Sequence, residues 1–220
     1  MRKKRKWYIP VAILLILMLA GYWYLFLGSH IEDADSEITE GAADTRALIV
    51  YFTRSGVITA EGDADAVSSA SMNTQDGVTE QAALQLQQIT GADLYQIKTD
   101  RYYRNAFVGT AATAWLEEKL NLRPRLAAMP GSLSEYDVIY VGFPVWWFNA
   151  PMAIGTFLES YDLTGKTVVP FCTSQDNGID ICMDFIREVS GEAVVLDGYR
   201  FQNASNEDVV RWLTEIGLQK

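Results

Sequence analysis

The sequence predicts an α/β domain built on a doubly wound, five-stranded parallel sheet with strand order 2-1-3-4-5. Three observations support this: five short apolar runs, helical segments between them, and about 175 residues of one-domain size after a distinct N-terminal part. Parallel strands that are buried on both faces are continuous apolar runs. The switch point of such a sheet, where ligands bind, then falls between the first and third strands.

The N-terminal part combines a basic cluster with a long uncharged segment. Residues 2–6 are all Lys or Arg, and residues 7–27 contain no charged side chain. At 1.5 Å per residue, such a segment reaches about 30 Å, the thickness of a bilayer core. We therefore expect one transmembrane helix within residues 1–28, with the N-terminus in the cytoplasm and the domain outside, at the cell membrane. The alternative, a cleaved signal peptide, is disfavoured because the run is long and ends in aromatics rather than small residues.

Residues 29–45 follow as a predicted linker, and residues 46–220 as the folded domain. The linker is acidic, rich in small residues and poor in apolar ones, which is typical of a flexible tether. It contains His30, the one histidine of the chain, so neither a histidine metal site nor a Ser-His-Asp triad is expected.

The predicted strands are the apolar runs that turn or loop residues follow. They are 47–52, 92–97, 138–142, 167–172 and 193–196. Predicted helices lie between and after these strands, with apolar side chains at helical spacing. They are 79–89, 111–120, 150–161, 181–189 and 206–216.

Charge and cysteine content limit the functions of the domain. The chain beyond the basic cluster contains all 28 Asp and Glu residues, which lie after residue 30, and 13 Lys and Arg residues. Its net charge is therefore −15. Nucleic acid is therefore not an expected partner. The two cysteines, Cys172 and Cys182, do not form a metal site. Outside the cytoplasm they could pair, but Cys172 lies in an apolar run and is better explained as a buried small hydrophobe.

Two loops at the predicted switch point have the chemistry of a binding site. Thr53-Arg54-Ser55-Gly56 follows the first strand, where hydroxyls and backbone amides can surround a phosphate, near the helix that starts at Thr79. Pro144-Val145-Trp146-Trp147 follows the third strand, and exposed aromatics there favour a planar ligand. This second loop has no glycine up to Asn149, so no residue in it adopts a positive φ cheaply.

Together these segments resemble the flavodoxin-like FMN-binding family, in the variety with a Trp-Trp loop at the ring. The resemblance covers roughly residues 46–217 and also includes Pro170-Phe171-Cys172-Thr173-Ser174. It implies FMN as the cofactor, no catalytic side chain and no metal. The phosphate would be held by Thr53, Arg54, Ser55, Gly56 and Thr79. The isoalloxazine ring would contact Pro144, Val145, Trp146 and Trp147, with one tryptophan packed inward, and would be flanked by Thr173, Ser174, Gln175 and Gly178.

The function expected from this resemblance is electron transfer by a membrane-anchored, FMN-binding domain. Its partner would be a redox protein or a quinone at the membrane surface. One alternative is an FMN-dependent oxidoreductase acting on quinones or similar acceptors. Another is a degenerate domain that has lost FMN. This alternative is favoured by Val78, which is commonly Asn in the family, and by the acidic segment 57–76, and it is opposed by the 144–147 loop.

Overall fold

The computed structural model describes residues 8–26, 37–42, 46–53, 77–100, 103 and 107–219. Four sequence predictions fall wholly or partly outside this set. These are the basic cluster 2–6, the segment 57–76, most of the linker, and the phosphate-loop residues Arg54, Ser55 and Gly56.

The sheet has the predicted parallel architecture and strand order β2-β1-β3-β4-β5. Its strands are β1 Ala47–Phe52, β2 Asp93–Ile97, β3 Val138–Pro144, β4 Thr167–Thr173 and β5 Val194–Val195. The three central strands are almost fully buried, which explains their unbroken apolar sequences. Their carboxyl ends meet at one edge, where Pro144 of β3 lies opposite Thr173 of β4.

Helices cover both faces of this sheet. They are α2 Val78–Thr90, α3 Phe107–Lys119, α4 Met152–Glu159, α5 Met183–Val189 and α6 Asn206–Glu215. Each overlaps a predicted helix, although the predicted helix 181–189 begins as a 3-10 turn, Ile179–Cys182. The buried apolar side chains form two clusters, one on each face of the sheet. The domain is therefore doubly wound, as the alternation of strands and helices predicts.

A sixth strand, β6 Tyr199–Phe201, was not predicted. It pairs in parallel with β4 beyond the end of the two-residue β5, so that Thr173 lies opposite Phe201. The segment is only three residues long, and this is too short for a reliable apolar pattern. It matters for the site because it extends the sheet beside the loop that follows β4.

The N-terminal part contains one helix and a short segment of the linker that pairs with the sheet. Residues Tyr8–Phe26 form a helix, α1. Among the described residues, however, no helix is long and apolar enough to cross a membrane, and the predicted ends Trp7 and Leu27 lie outside them. In the linker, Thr39 pairs with Leu94 on the free edge of β2, through backbone hydrogen bonds of 2.8 and 2.9 Å. The prediction of a flexible linker therefore does not hold at residues 37–42, because an edge strand offers unpaired backbone groups.

Candidate functional site

Three buried threonines lie at the edge where β1 and β4 end and α2 begins. Thr53 follows β1, Thr79 is the second residue of α2, and Thr173 ends β4, and none is more than 1% exposed. The hydroxyl oxygens of Thr79 and Thr173 lie 2.7 Å apart and share a hydrogen bond. Residues predicted to hold opposite ends of one ligand are thus in direct contact across the top of the sheet.

The first turn of α2 has the backbone arrangement of an anion site. Gly77 precedes the helix in extended conformation and has no side chain of its own that could cap the helix N-terminus. The amides of a first turn point outward along the axis and carry the positive end of the helix dipole. With the Thr79 hydroxyl in that turn, this part of the structure fits a phosphate group, although Glu80 in the same turn contributes an opposing charge.

The loop after β3 is joined to the end of β4. The amide of Val145 donates to the carbonyl oxygen of Thr173 at 3.0 Å, which continues the β3–β4 pairing by one residue. Pro144 and Val145 therefore lie beside the buried threonine pair, and Val145 is only 8% exposed. The structure brings these two predicted ring contacts together with the predicted phosphate contact Thr79.

A tight turn follows, and its backbone is unusual. Trp146 and Asn149 exchange backbone hydrogen bonds of 2.8 and 2.9 Å, so Trp147 and Phe148 occupy the two central positions. Both have positive φ, 49° and 64°. Two-residue turns of this kind normally use Asn and Gly, because other residues are strained there. This turn contains no glycine, so both residues adopt the positive φ at a cost in free energy.

The two tryptophans have different environments. Trp146 is buried, and its ring meets those of Phe52 and Tyr103 edge to face at centroid distances of 5.4 and 5.1 Å. Trp147 is 46% exposed, and its indole N–H donates to the carbonyl oxygen of Ala111 in α3 at 2.8 Å. Trp146 is thus part of the core, while Trp147 is held at the surface with a defined orientation.

The loop after β4 is held in place by its own turn and by residues that follow β5. The Ser174 hydroxyl accepts from the Asn177 amide at 3.0 Å, and Gln202 donates to the Gln175 carbonyl oxygen at 3.1 Å. Gly178 precedes the 3-10 turn in extended conformation. These three predicted residues therefore form one ordered loop next to Thr173, and Gln202, which directly follows β6, supplies a support that was not predicted from the sequence. Alternation of apolar and polar residues in Tyr199-Arg200-Phe201 was the available signal.

A buried carboxyl group on α3, in contact with Tyr103, was not predicted from the sequence. Glu117 of α3 is 7% exposed and accepts a hydrogen bond from the Tyr103 hydroxyl at 2.8 Å. Burial raises the pKa of Glu117 to about 7, and the bond from Tyr103 opposes that rise. The signal in the sequence was its helical spacing from Thr113 and Ala114, which places a charged residue on the buried face of α3.

The structure favours the interpretation of the cysteines as buried small hydrophobic residues rather than as a disulfide pair. Cys172 and Cys182 are both free and buried. Burial raises the pKa of the Cys172 thiol to about 12 and raises that of Cys182 as well. Neither has the exposed, activated character of a reactive thiol.

Comparison with known proteins identifies the family. A family model described as Flavodoxin matches residues 66–216. The chain belongs to the flavodoxin family. No match is found among curated protein sequences.

Solved structures share the fold of this flavodoxin domain. A candidate flavoprotein from Bacteroides uniformis is 28% identical, with a TM-score of 0.61 over 77% of this chain and 98% of its own. One from Bacteroides eggerthii is 24% identical, with a TM-score of 0.62 over 83% of this chain and 100% of its own. A flavoprotein from Lactobacillus acidophilus, solved in complex with FMN, is 20% identical, with a TM-score of 0.56 over 76% of this chain and 98% of its own.

Proposed function

We propose that this flavodoxin domain binds FMN and transfers electrons. The observation that carries the proposal is the first turn of α2 beside the buried Thr79–Thr173 pair, at the edge of the sheet where the aromatic loop begins. FMN requires two features at one edge of the sheet: a site for its phosphate group and an apolar, aromatic surface for its ring. Membership of the flavodoxin family supports the same cofactor.

The chain contributes binding and orientation. The amides of the first turn of α2 and the Thr79 hydroxyl would hold the phosphate, together with Thr53 and with Arg54, Ser55 and Gly56. Pro144, Val145 and the exposed Trp147 would contact the ring on one side. The 174–178 loop would flank its polar edge. Bound FMN supplies the electron chemistry, while these residues fix its position and limit its contact with water.

The first experiment measures FMN retention by the full chain, purified in detergent. The protein is loaded with FMN and desalted, and its absorption spectrum and tryptophan fluorescence are recorded. A retained flavin spectrum with quenched tryptophan emission supports the proposal. Protein that stays colourless and unquenched contradicts it and favours a domain that has lost FMN.

Variants at Thr79 test the phosphate contact. Thr79→Val removes one hydroxyl and is expected to weaken FMN binding by about tenfold, the value of one good hydrogen bond to a charged group. Thr79→Ser keeps the hydroxyl and should restore binding. Thr214→Val, which changes an exposed threonine of α6, is the matched control. Equal FMN affinity of Thr79→Val and the wild type would show that the Thr79 hydroxyl does not bind the phosphate.

We also propose that the domain is held at the cell membrane, outside the cytoplasm, and exchanges electrons with a redox protein or a quinone there. The support is the sequence of residues 2–27 and the exposure of the apolar side chains in the first part of α1. Membrane fractionation of the full chain and of a chain lacking residues 2–27 tests the location. Recovery of both chains in the soluble fraction would contradict it.

A further inference from the structure

Arg200, the middle residue of β6, differs from the other arginines that the structure describes. Each of the others forms an ion pair with an aspartate or a glutamate. They are Arg46, Arg123, Arg125, Arg187 and Arg211. Arg200 forms no such pair with any described carboxylate, although the domain is strongly acidic. Its positive charge is therefore free to interact with an anionic group that the described part of the fold does not supply.

The side chain of Arg200 extends towards the edge of the sheet that carries the candidate site. The strand register places its backbone opposite Cys172, one residue before the end of β4. Its guanidinium Nη1 lies 3.4 Å from the carbonyl oxygen of Gln175, in the loop after β4. The charge is thus carried from β6 to the 174–178 loop, which is the loop proposed to flank the polar edge of the flavin ring.

The position of this loop does not depend on Arg200 alone. The same carbonyl oxygen of Gln175 accepts a shorter hydrogen bond, of 3.1 Å, from the side-chain amide of Gln202. The Ser174 hydroxyl holds the loop from within by accepting from the Asn177 amide. What Arg200 adds to these neutral hydrogen bonds is a full positive charge.

The negative charges near Arg200 are exposed, whereas the sheet edge beside it is buried. Asp176 of the loop and Asp180 of the following 3-10 turn are both exposed, so water and salt screen their charges. Thr173 and Ser174, the two residues between Cys172 and Gln175, are buried. A charge beside buried groups acts through a lower effective dielectric constant, so Arg200 should influence a ligand at this edge strongly.

Reduction changes the charge that a flavin presents at its polar edge. Uptake of two electrons and one proton converts the oxidised ring into a fully reduced ring with one negative charge, which lies at the pyrimidine end. A cation beside that end favours the anionic form over the neutral one and therefore raises the reduction potential. The surrounding acidic domain has the opposite effect.

We propose that Arg200 sets the reduction potential of bound FMN by stabilising the negative charge of the reduced ring at the 174–178 loop. This inference rests on the proposed binding of FMN by the domain. It adds to that proposal a residue that acts on one redox state of the cofactor and leaves the binding of the oxidised state unchanged. The electrons come from the redox protein or quinone proposed above, or from dithionite in the assay.

The test is a reductive titration, with dithionite, of the full chain loaded with FMN in detergent. Arg200→Gln keeps an N–H donor for the Gln175 carbonyl oxygen but removes the charge. Reduced FMN should then bind about tenfold more weakly relative to oxidised FMN, which lowers the two-electron midpoint potential by about 30 mV. The affinity for oxidised FMN, measured by fluorescence titration, should stay the same. Arg200→Lys keeps the charge and should retain most of the wild-type potential.

Arg46→Gln is the matched control, because it removes the same charge just before β1, at the opposite edge of the sheet. It should leave the potential unchanged, and an equal shift in both variants would overturn the proposal in favour of a net-charge effect. A wild-type potential in Arg200→Gln, or an equal loss of affinity for oxidised and reduced FMN, would also overturn it while FMN binding stands. Failure of the wild-type chain to retain FMN would instead refute the proposed function, and this inference with it.

Discussion

The pH dependence of the free energy of unfolding provides a quantitative test of the buried hydrogen bond between Tyr103 and Glu117. Glu117 has a pKa of about 7 in the folded protein, raised by burial from its ordinary value of 4.5. Below pH 4.5 the carboxyl is protonated in both the folded and the unfolded chain. As the pH rises towards 7, the unfolded chain releases this proton first, so the free energy of unfolding falls across that window.

The size of the effect follows from the two pKa values. They differ by about 2.5, and each unit corresponds to 1.36 kcal/mol, which gives roughly 3 kcal/mol of stability lost between pH 4.5 and 8. No discount for solvent screening applies, since Glu117 is only 7% exposed. The loss is a large fraction of the stability of an ordinary domain.

Glu117→Gln isolates this contribution. The amide keeps the shape of the side chain and its oxygen still accepts from the Tyr103 hydroxyl, but it does not titrate. Urea unfolding of the full chain in detergent, followed by tryptophan fluorescence at several pH values, gives both stability curves. The wild-type curve minus the variant curve should decline by roughly 3 kcal/mol over the window.

Two further variants sharpen the result. Tyr103→Phe removes the hydrogen bond that lowers the pKa of Glu117, so the decline should extend to higher pH and become larger, while its start at the pKa of the unfolded chain stays the same. Glu215→Gln, at an exposed carboxylate, should reproduce the wild-type profile. Parallel curves for the wild type and Glu117→Gln would refute the assignment of a neutral, buried carboxyl to Glu117 near pH 6.

Other predictions concern packing, strain and the thiols. A Cβ at Gly142 would overlap the ring of Phe171 on the neighbouring strand, so Gly142→Ala should cost about 1–3 kcal/mol in urea unfolding. Phe148→Gly should relieve the positive φ and stabilise the fold by about 1 kcal/mol, raising Tm by about 2–4 °C, because little packing is lost from an exposed ring. Cys172 and Cys182 should react with a thiol reagent only after unfolding, and rapid labelling of the native protein would contradict their burial.

The architecture could be predicted from the sequence because burial determines strand composition. A strand covered on both faces has no polar positions, so β1 and the first residues of β3 and β4 were located to the residue. β6 was missed because three residues, one of them Arg200, cannot show this pattern. Its position depends on the carboxyl-terminal half of β4, which extends beyond β5 and is free to pair.

The components of the candidate site were predictable, but their contacts were not. Glycine and hydroxyl residues after a strand indicate an anion site through local chemistry. The bond between the Thr79 and Thr173 hydroxyls joins residues 94 positions apart, and only the packing of α2 against the sheet brings them together. The contact between Glu117 and Tyr103 is closer in sequence, yet Tyr103 lies in a segment without a periodic pattern.

The 146–149 turn shows how contacts elsewhere in the fold can override a local backbone preference. A loop without glycine should avoid positive φ, and the cost of adopting it twice is of order 1–3 kcal/mol per residue. The cost is met by contacts outside the turn: Trp146 is fixed among Phe52 and Tyr103, and the Trp147 indole is bonded to the Ala111 carbonyl oxygen. With both of these side chains held by the fold, the backbone between them and Asn149 closes into the strained form. The same constraint leaves the Phe148 side chain exposed, a position that local sequence propensities could not predict because the contacts that impose it lie outside the turn.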